Sequence, residues 1–271
     1  MGKLDGKVAV VTGGSRGVGK AVCLALAAEG ANIVLGAKTS EPHPKLPGTI
    51  HDTAREVEAL GVKALALQVD VRDAEQIDAM MAKAAETFGK IDILINNAGA
   101  IFLADAVDTP AKKFDLMMDV NARAAFLCSR AAIPHMKDGG HIVMMSPPIN
   151  PKAIGGKVAY GLTKLGMSIV AIGLAEELRD QKISVNAVWP VTMVESSAVK
   201  NFAMGSSAEW RKPEILADAV TLIVSTPPGS STGETLYDEE VLRRAGITDF
   251  DERYAVVPGT HPQPLSKALF E

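Results

Sequence analysis

The stretch KVAVVTGGSRGVG, residues 7–19, decides the fold of this chain. A short apolar run, residues 8–11, ends in a segment of glycines and small polar residues that few larger side chains could occupy. A buried strand, a tight turn and then a helix beginning near Val18 are typical of the first unit of a parallel α/β sheet.

Further apolar runs continue the alternation of strands and helices. The six predicted strands cover residues 8–11, 33–35, 64–69, 91–95, 142–145 and 183–188, and helical period is clearest over 50–57 and 77–88. Continuous apolar strands joined by helices predict an α/β fold with a single doubly wound (Rossmann-type) parallel sheet and helices on both faces. No composition break divides the chain, so residues 1–271 are expected to form one domain.

Composition excludes several classes of protein. Of 271 residues, 47% are hydrophobic and 22% charged, and the net charge of -4 predicts no nucleic-acid partner. No apolar run of about 18 residues and no apolar core of a signal peptide are visible, which predicts no membrane span and a cytoplasmic location. Cys23 and Cys128 fall in predicted helices and suit a reducing compartment, and five scattered histidines predict no metal site.

The glycine turn predicts a nucleotide site. Gly13, Gly17 and Gly19 follow strand one, at the sheet edge where such folds bind ligands. Glycine lets backbone N–H groups and the helix N-terminus approach a pyrophosphate. The spacing is G-x-x-x-G-x-G rather than the common G-x-G-x-x-G. A tight strand-to-helix connection without a ligand is the alternative.

The end of strand two predicts which dinucleotide binds. A carboxylate is expected there if it is to hold a ribose 2′-hydroxyl, but the chain has Lys38 and no acid before Glu41. A cation suits a 2′-phosphate, and Arg16 in the glycine turn can reach the same group. We therefore favour NADP(H), with NAD(H) possible. The alternative is that both cations are solvated surface charges.

Two polar segments close strands three and four at the same edge. In VDVRD, residues 69–73, Asp70 is expected to accept a hydrogen bond from an adenine amino group and Val71 to supply an amide. A helix N-cap is the other role for Asp70, although Asp73 fits it better. INNAGA, residues 95–100, brings Asn96, Ala98 and Gly99 to the same crevice.

Catalytic chemistry is indicated by SPPINPKAIGGKVAYGLTK, residues 146–164. Tyr160 and Lys164 are four apart in a helical segment, so their side chains share a face. A nearby ammonium stabilises a phenolate and lowers the pKa of the phenol, which makes the pair a plausible proton donor and acceptor. Ser146, at the end of strand five, is expected to place its hydroxyl at the same crevice.

The order of TGGSRGVG, NNAG, Ser146 and YGLTK resembles the short-chain dehydrogenase/reductase family over roughly residues 5–190. The resemblance implies that Tyr160 is the general acid/base, that Lys164 lowers its pKa and holds the nicotinamide ribose, and that Ser146 orients the substrate. Asn121, in MMDVNARAAF, matches the asparagine that supports a water in the proton relay. The predicted cofactor-binding residues are Thr12, Gly13, Ser15, Arg16, Gly17, Val18, Gly19, Lys38, Asp70, Val71, Asn97, Ala98, Gly99, Tyr160, Lys164, Pro190 and Thr192.

Within that family the chain is more similar to the hydroxysteroid dehydrogenase-like protein 2 group. The signs are a Pro-rich insert at about 39–49, SPP at the serine, NAVWP after strand six and GITDF near the C-terminus. Val191 follows Pro190 where most relatives have glycine, and Thr192 is expected to replace the usual threonine at the carboxamide. A C-terminal extension is predicted at about 238–271.

A lid is predicted at about 191–212, and its residues indicate the class of substrate. Val194, Phe202, Met204 and Trp210 predict an apolar cover over the nicotinamide, which suits an aliphatic, terpenoid or sterol-like molecule. The alternative is that these side chains only pack the lid on the body.

The resulting hypothesis is an NADP(H)-dependent oxidoreductase that interconverts a small-molecule alcohol and its ketone or aldehyde. A non-catalytic dinucleotide-binding scaffold or redox sensor is one alternative, and a dehydratase or epimerase on the same fold is another. By resemblance, a homodimer or homotetramer is expected through helices near residues 114–136 and 160–178.

Overall fold

Seven parallel strands form the centre of the fold in a computed structural model that describes residues 2–42, 47–149 and 157–265. The strands are β1 Val8–Thr12, β2 Asn32–Ala37, β3 Ala64–Gln68, β4 Ile93–Asn96, β5 Gly140–Met145, β6 Ile183–Trp189 and β9 Thr235–Tyr237. Their order is β3-β2-β1-β4-β5-β6-β9. The six predicted strands are confirmed. Sequence reasoning missed β9, since three residues are too few to display a strand pattern.

Helices cover both faces of this sheet. They are α1 Gly17–Ala28, α2 Ile50–Glu58, α3 Ala74–Phe88, α4 Ala111–Met118, α5 Ala124–Ala132, α6 Val158–Glu177, α7 Ser197–Asn201, α8 Glu214–Val224, α9 Asp238–Arg244 and α10 Phe250–Tyr254. One apolar core lies between the sheet and α1, α2, α8 and α9, and a second between the sheet and α3, α5 and α6. The predicted doubly wound architecture is therefore confirmed.

Strand β1 illustrates how the sequence builds two cores. Val8 and Val10 belong to one core, whereas Ala9 and Val11 belong to the other. Successive side chains of a strand point to opposite faces, so a strand buried on both sides is an unbroken apolar run rather than an alternating one.

Local capping fixes the starts of the helices beside the nucleotide edge. Asp73 caps α3 by accepting from the backbone N–H groups of Glu75 and Gln76, as expected for this aspartate. Thr49 and Asp52 form a reciprocal capping box at α2. Helix α1 has no side-chain cap, which leaves its N-terminal N–H groups directed at the ligand edge of the sheet.

Helix α6 is long and apolar but packs inside the α/β fold. It has 20 residues and a mean hydropathy of 1.6 over an 18-residue window, enough by length and composition alone to cross a membrane. It nevertheless packs on β5, β6 and α5 and carries Tyr160 and Lys164, so it is a layer helix of the α/β fold.

The predicted insert and extension are partly described. Of the insert at about 39–49, residues 43–46 lie outside the described residues. Of the extension at about 238–271, residues 238–265 form α9, α10 and a tail, and residues 266–271 lie outside the described residues.

Candidate active site

The predicted site residues meet outside the carboxyl ends of the strands. The strand order reverses between β1 and β4, and in doubly wound sheets this switch point opens the ligand crevice. A cavity of about 380 Å³ lies there. The predicted catalytic and cofactor-binding residues that line it are Val18, Asn97, Gly99, Tyr160, Lys164, Pro190 and Thr192.

The glycine turn is shaped by close backbone contacts. Gly13 and Gly17 have φ of 71° and 54°, a conformation that favours glycine. A Cβ on Gly19 would lie 2.2 Å from the carbonyl oxygen of Gly13 and 2.4 Å from Nδ2 of Asn97. The turn therefore needs glycine at position 19 for packing as well as for approach to a ligand.

A hydrogen-bond network joins this turn to the end of β4. Thr12 Oγ1 accepts from the backbone N–H groups of Asn97 and Ala98, at 3.0 Å each, and donates to the Ile95 carbonyl at 3.2 Å. Asn97 Nδ2 donates to the carbonyls of Thr12 at 2.8 Å and Gly13 at 3.3 Å. These residues build the nucleotide edge by fixing its backbone.

Lys38 and Asp70 meet at the far end of the same edge. Lys38 Nζ lies 3.3 Å from Asp70 Oδ2, and with Gln68 and Gln76 the two residues line a second cavity. Bonds from the Arg72 guanidinium hold the pKa of Asp70 well below its usual range. The carboxylate is thus already paired with two cations in this structure.

Arg16 contacts the insert. Its Nη2 donates to the Gly48 carbonyl at 3.0 Å, and its buried Nε has no hydrogen-bond partner among the described residues. Ser15 and Val71, two other predicted cofactor residues, are buried. Their roles stay predictions.

Tyr160 and Lys164 are both in the cavity wall, as their spacing predicts. Lys164 Nζ donates to the Met145 carbonyl at 2.9 Å and lies 5.4 Å from the centroid of the Trp189 ring. Burial lowers the pKa of Lys164 to about 8. Burial also raises the pKa of Tyr160, the opposite of the expected direction, because desolvation of the phenolate dominates in this structure.

Ser146 does not line the cavity. Its side chain is fully buried, and its Oγ lies 3.0 Å from Oγ of Ser168 on α6. Ser168 also donates to the Pro147 carbonyl at 2.5 Å, and Pro147 itself lies in the cavity wall. The structure therefore brings Tyr160 and Lys164 together at the cavity and buries Ser146 beside Ser168, and the catalytic role of Ser146 stays a prediction.

Asn121 lies behind the cavity, in a π-helical turn, Asp119–Arg123, between α4 and α5. Its Oδ1 accepts from the Ala100 N–H at 2.8 Å, and its Nδ2 donates to the Ala100 carbonyl and to Thr163 Oγ1 at 2.9 Å each. The side chain thus joins the loop after β4 to helix α6. Single π-helical turns are frequent at functional sites.

The segment predicted to form a lid contains two short strands and a helix. Strands β7 Met193–Val194 and β8 Trp210–Arg211 pair with each other, with α7 between them. Val194 and Met204 line the cavity, and Trp210 is buried and donates from Nε1 to the Met204 carbonyl at 2.8 Å. Phe202 was wrongly assigned to the apolar cover, since it is 45% exposed and does not line the cavity.

Residues from the C-terminal extension complete the wall, and sequence reasoning missed them. Leu265 lines the cavity and lies next to Pro264, which forms an antiparallel bridge with Thr192. A Pro-rich tail shows no periodicity from which this contact could have been inferred.

Comparison with known proteins shows the class to which this site belongs. The short chain dehydrogenase family matches residues 7–206. With the glycine turn, Asn97, Tyr160 and Lys164 arranged around one cavity, the chain belongs to the short-chain dehydrogenase/reductase family.

Individual relatives narrow the similarity. The chain is 48% identical to hydroxysteroid dehydrogenase-like protein 2 of Xenopus tropicalis over 266 residues, and 47% identical to the Homo sapiens protein over 268. These matches cover 96% and 97% of this chain and 63% of each relative, so the chain spans less than two thirds of their length. The similarity to the hydroxysteroid dehydrogenase-like protein 2 group predicted from sequence is confirmed.

Solved structures agree with the fold. A short chain dehydrogenase from Mycobacterium thermoresistibile superposes with a TM-score of 0.89 at 44% identity, covering 96% of this chain and 94% of the other. Carveol dehydrogenase from Mycobacterium avium, solved in complex with NAD, superposes with a TM-score of 0.76 at 26% identity, covering 88% and 97%.

Proposed function

We propose that this protein is an NADP(H)-dependent oxidoreductase that interconverts an apolar alcohol and its ketone or aldehyde. The observation that carries the proposal is the cavity of about 380 Å³ with Tyr160 and Lys164 in its wall beside the glycine turn. A proton donor, a cation and a nucleotide edge meet in one crevice, which is the arrangement that hydride transfer to a carbonyl requires.

The residues present fit a nicotinamide dinucleotide. The Gly13–Gly19 turn and the uncapped start of α1 suit the pyrophosphate. Thr192 Oγ1 is buried, lines the cavity and has no hydrogen-bond partner among the described residues, so it is free to bind the carboxamide. A bound nicotinamide supplies or accepts the hydride, which is chemistry that the side chains lack.

Proton transfer is assigned to Tyr160. Because burial raises its pKa, the phenol is protonated at neutral pH and is suited to donating a proton to a carbonyl oxygen. Lys164 is held beside β5 by the Met145 carbonyl, with its ammonium facing the cavity. The pair is therefore placed to donate a proton to a carbonyl oxygen during reduction and to accept one from an alcohol in the reverse reaction.

The NADP preference rests on charge at the end of β2. Lys38 is 63% exposed, so its ammonium is accessible to a ribose phosphate. Arg16 projects from the glycine turn and keeps an unpaired buried Nε. Two cations and no carboxylate directly after β2 favour a 2′-phosphate over a 2′-hydroxyl.

An apolar substrate is supported by the chemistry of the cavity wall. Most of its side chains are aliphatic, aromatic or methionine, among them Ile101, Leu103, Leu165, Met193 and Val199. No carboxylate lines the cavity among the described residues. Burial of alkyl surface against such a wall stabilises the bound substrate. The same wall offers few hydrogen-bond partners to a polyhydroxylated substrate.

The test is NADPH oxidation with a panel of ketones and aldehydes of graded size, comparing the parent with Tyr160→Phe. Removing a positioned general acid costs about 10²–10⁴-fold in kcat, with NADPH binding retained. Tyr254→Phe is the matched control, because the Tyr254 hydroxyl donates to Asp218 and does not line the cavity. NADPH binding without turnover of any panel member would instead support the scaffold or sensor hypothesis.

A homodimer or homotetramer is also part of the proposal. Phe126 on α5 and Leu162, Ile169 and Ile172 on α6 are apolar and 42–62% exposed. Exposed apolar side chains on adjacent helices are typical of an interface. Sedimentation equilibrium would give the mass, and a monomer at micromolar concentration would contradict this part.

A further inference from the structure

We propose that Leu265, in the C-terminal tail, determines substrate specificity by limiting the size of the alkyl group that the cavity accepts. This inference rests on the proposed function and refines it, because it assigns the substrate-size limit to a particular side chain. Leu265 lies far from Tyr160 and Lys164 in the sequence, but in space it lines the same cavity as these two residues.

The tail backbone is fixed beside the turn that leaves β6. The Leu265 N–H donates to the Val191 carbonyl at 2.9 Å, and Pro264 bridges Thr192 in antiparallel fashion. These contacts hold Leu265 against the lid residues that follow Pro190. The side chain at position 265 is therefore directed by main-chain pairing rather than by a loop free to move away.

The extension is also tied to both ends of the lid. At the start of the lid, Asp238 Oδ1 accepts from the Val191 N–H at 2.9 Å. At its end, the buried Arg211 pairs with Glu239 and, at 3.0 Å, with Asp251. His261 Nδ1 lies 2.8 Å from Asp251 Oδ2, which joins the tail to the same group. The extension thus acts as a fixed wall for the lid and the cavity.

The chemistry of position 265 suits selection by size. Leu265 is half-buried and lines the cavity together with Met193 and Val199 of the lid. An aliphatic side chain offers no hydrogen bond, so its effect on a substrate is through volume and apolar contact. In apolar pockets one methylene changes selectivity by about 10–200-fold.

The experiment compares kcat/KM for a short-chain and a long-chain methyl ketone in three variants. Leu265→Ala enlarges the cavity and is expected to shift the ratio toward the long-chain ketone by at least about 10-fold. Leu265→Trp should shift it the other way, and the similar-sized Leu265→Met should preserve it. Val257→Ala is the matched control, since Val257 is an exposed aliphatic residue of the same extension that does not line the cavity.

An unchanged ratio in both Leu265→Ala and Leu265→Trp, with each variant folded and active, would overturn the inference. If the parent turns over no ketone, the proposed function fails. The inference is then tested by the affinities of the parent and the variants for the two ketones. Trp189 lines the cavity, so quenching of its fluorescence by the two ketones gives their affinities. The same shift in relative affinity is expected, and equal ratios across the variants would again overturn the inference.

Discussion

The nucleotide edge and the substrate edge of this crevice are built in different ways. The nucleotide edge consists of strand ends fixed by backbone bonds, such as those from Thr12 and Asn97. The substrate edge is assembled from the lid and the C-terminal extension, with Leu265 as part of its wall. A short sequence motif therefore specifies the first edge, whereas the second depends on segments that meet only in the folded chain.

Charge differs between the two edges as well. Lys38, Asp70 and Arg72 form a partly exposed group at the nucleotide edge, where solvent screens their interaction. Arg211 is buried among Glu239 and Asp251 at the base of the lid. Removal of Lys38 at the first edge should therefore change cofactor choice, whereas removal of a charge that pairs with Arg211 at the second should change stability.

The largest effect is expected from Gly19→Ala at the nucleotide edge. The added Cβ would lie 2.2 Å from the Gly13 carbonyl oxygen, so the turn must move and NADPH affinity should fall by at least about 100-fold. Titration calorimetry measures this affinity. Gly173→Ala in α6 is the control, because its Cβ would meet nothing within 4 Å and alanine favours a helix by about 0.5–1 kcal/mol. An affinity close to that of the parent would contradict the packing account.

A smaller effect is expected from Asp238→Asn at the substrate edge. Burial raises the pKa of Asp238 to about 7, so the folded protein holds this proton more tightly than the unfolded chain. Stability from this group is present at low pH and is lost as pH rises through about 7. Asparagine keeps an acceptor for the Val191 and Glu239 N–H groups without the charge, and should be more stable than the parent at pH ~8 by on the order of 1–3 kcal/mol.

Urea unfolding across this pH range measures the difference between parent and Asp238→Asn. The exposed Asp138→Asn is the matched control and should follow the parent. Equal pH slopes for the parent and Asp238→Asn would show that the buried carboxyl does not titrate in this range.

The smallest effect is expected from Lys38→Ala. Loss of one exposed cation should lower the ratio of kcat/KM for NADPH to that for NADH by about 10-fold, since a charge-assisted bond is worth about 1.5–3 kcal/mol before solvent screening. Steady-state kinetics with both cofactors measures the ratio. Lys63→Ala removes the same charge just before β3, at the opposite end of the sheet, and should leave the ratio unchanged. A ratio unaffected by Lys38→Ala would favour the surface-charge alternative.

The site was predicted from sequence where one motif supplied both position and chemistry. Tyr160 and Lys164 share a helix, so their spacing alone placed them on one face, and both line the cavity. Ser146 was placed at the correct strand end, but the direction of its side chain depends on the packing of β5 against Ser168. Phe202 was misassigned because hydrophobicity alone does not say which way a lid residue points.

By itself, the sequence determined the doubly wound sheet, the glycine turn and the Tyr160–Lys164 pair. These depend on local patterns: apolar runs, glycine spacing and helical period. Only the tertiary structure decided that β9 adds a seventh strand, that Ser146 is buried beside Ser168 and that Leu265 lines the cavity. Such contacts join residues far apart in the chain. Tertiary packing stabilises them, and this packing cannot be inferred from a local sequence pattern.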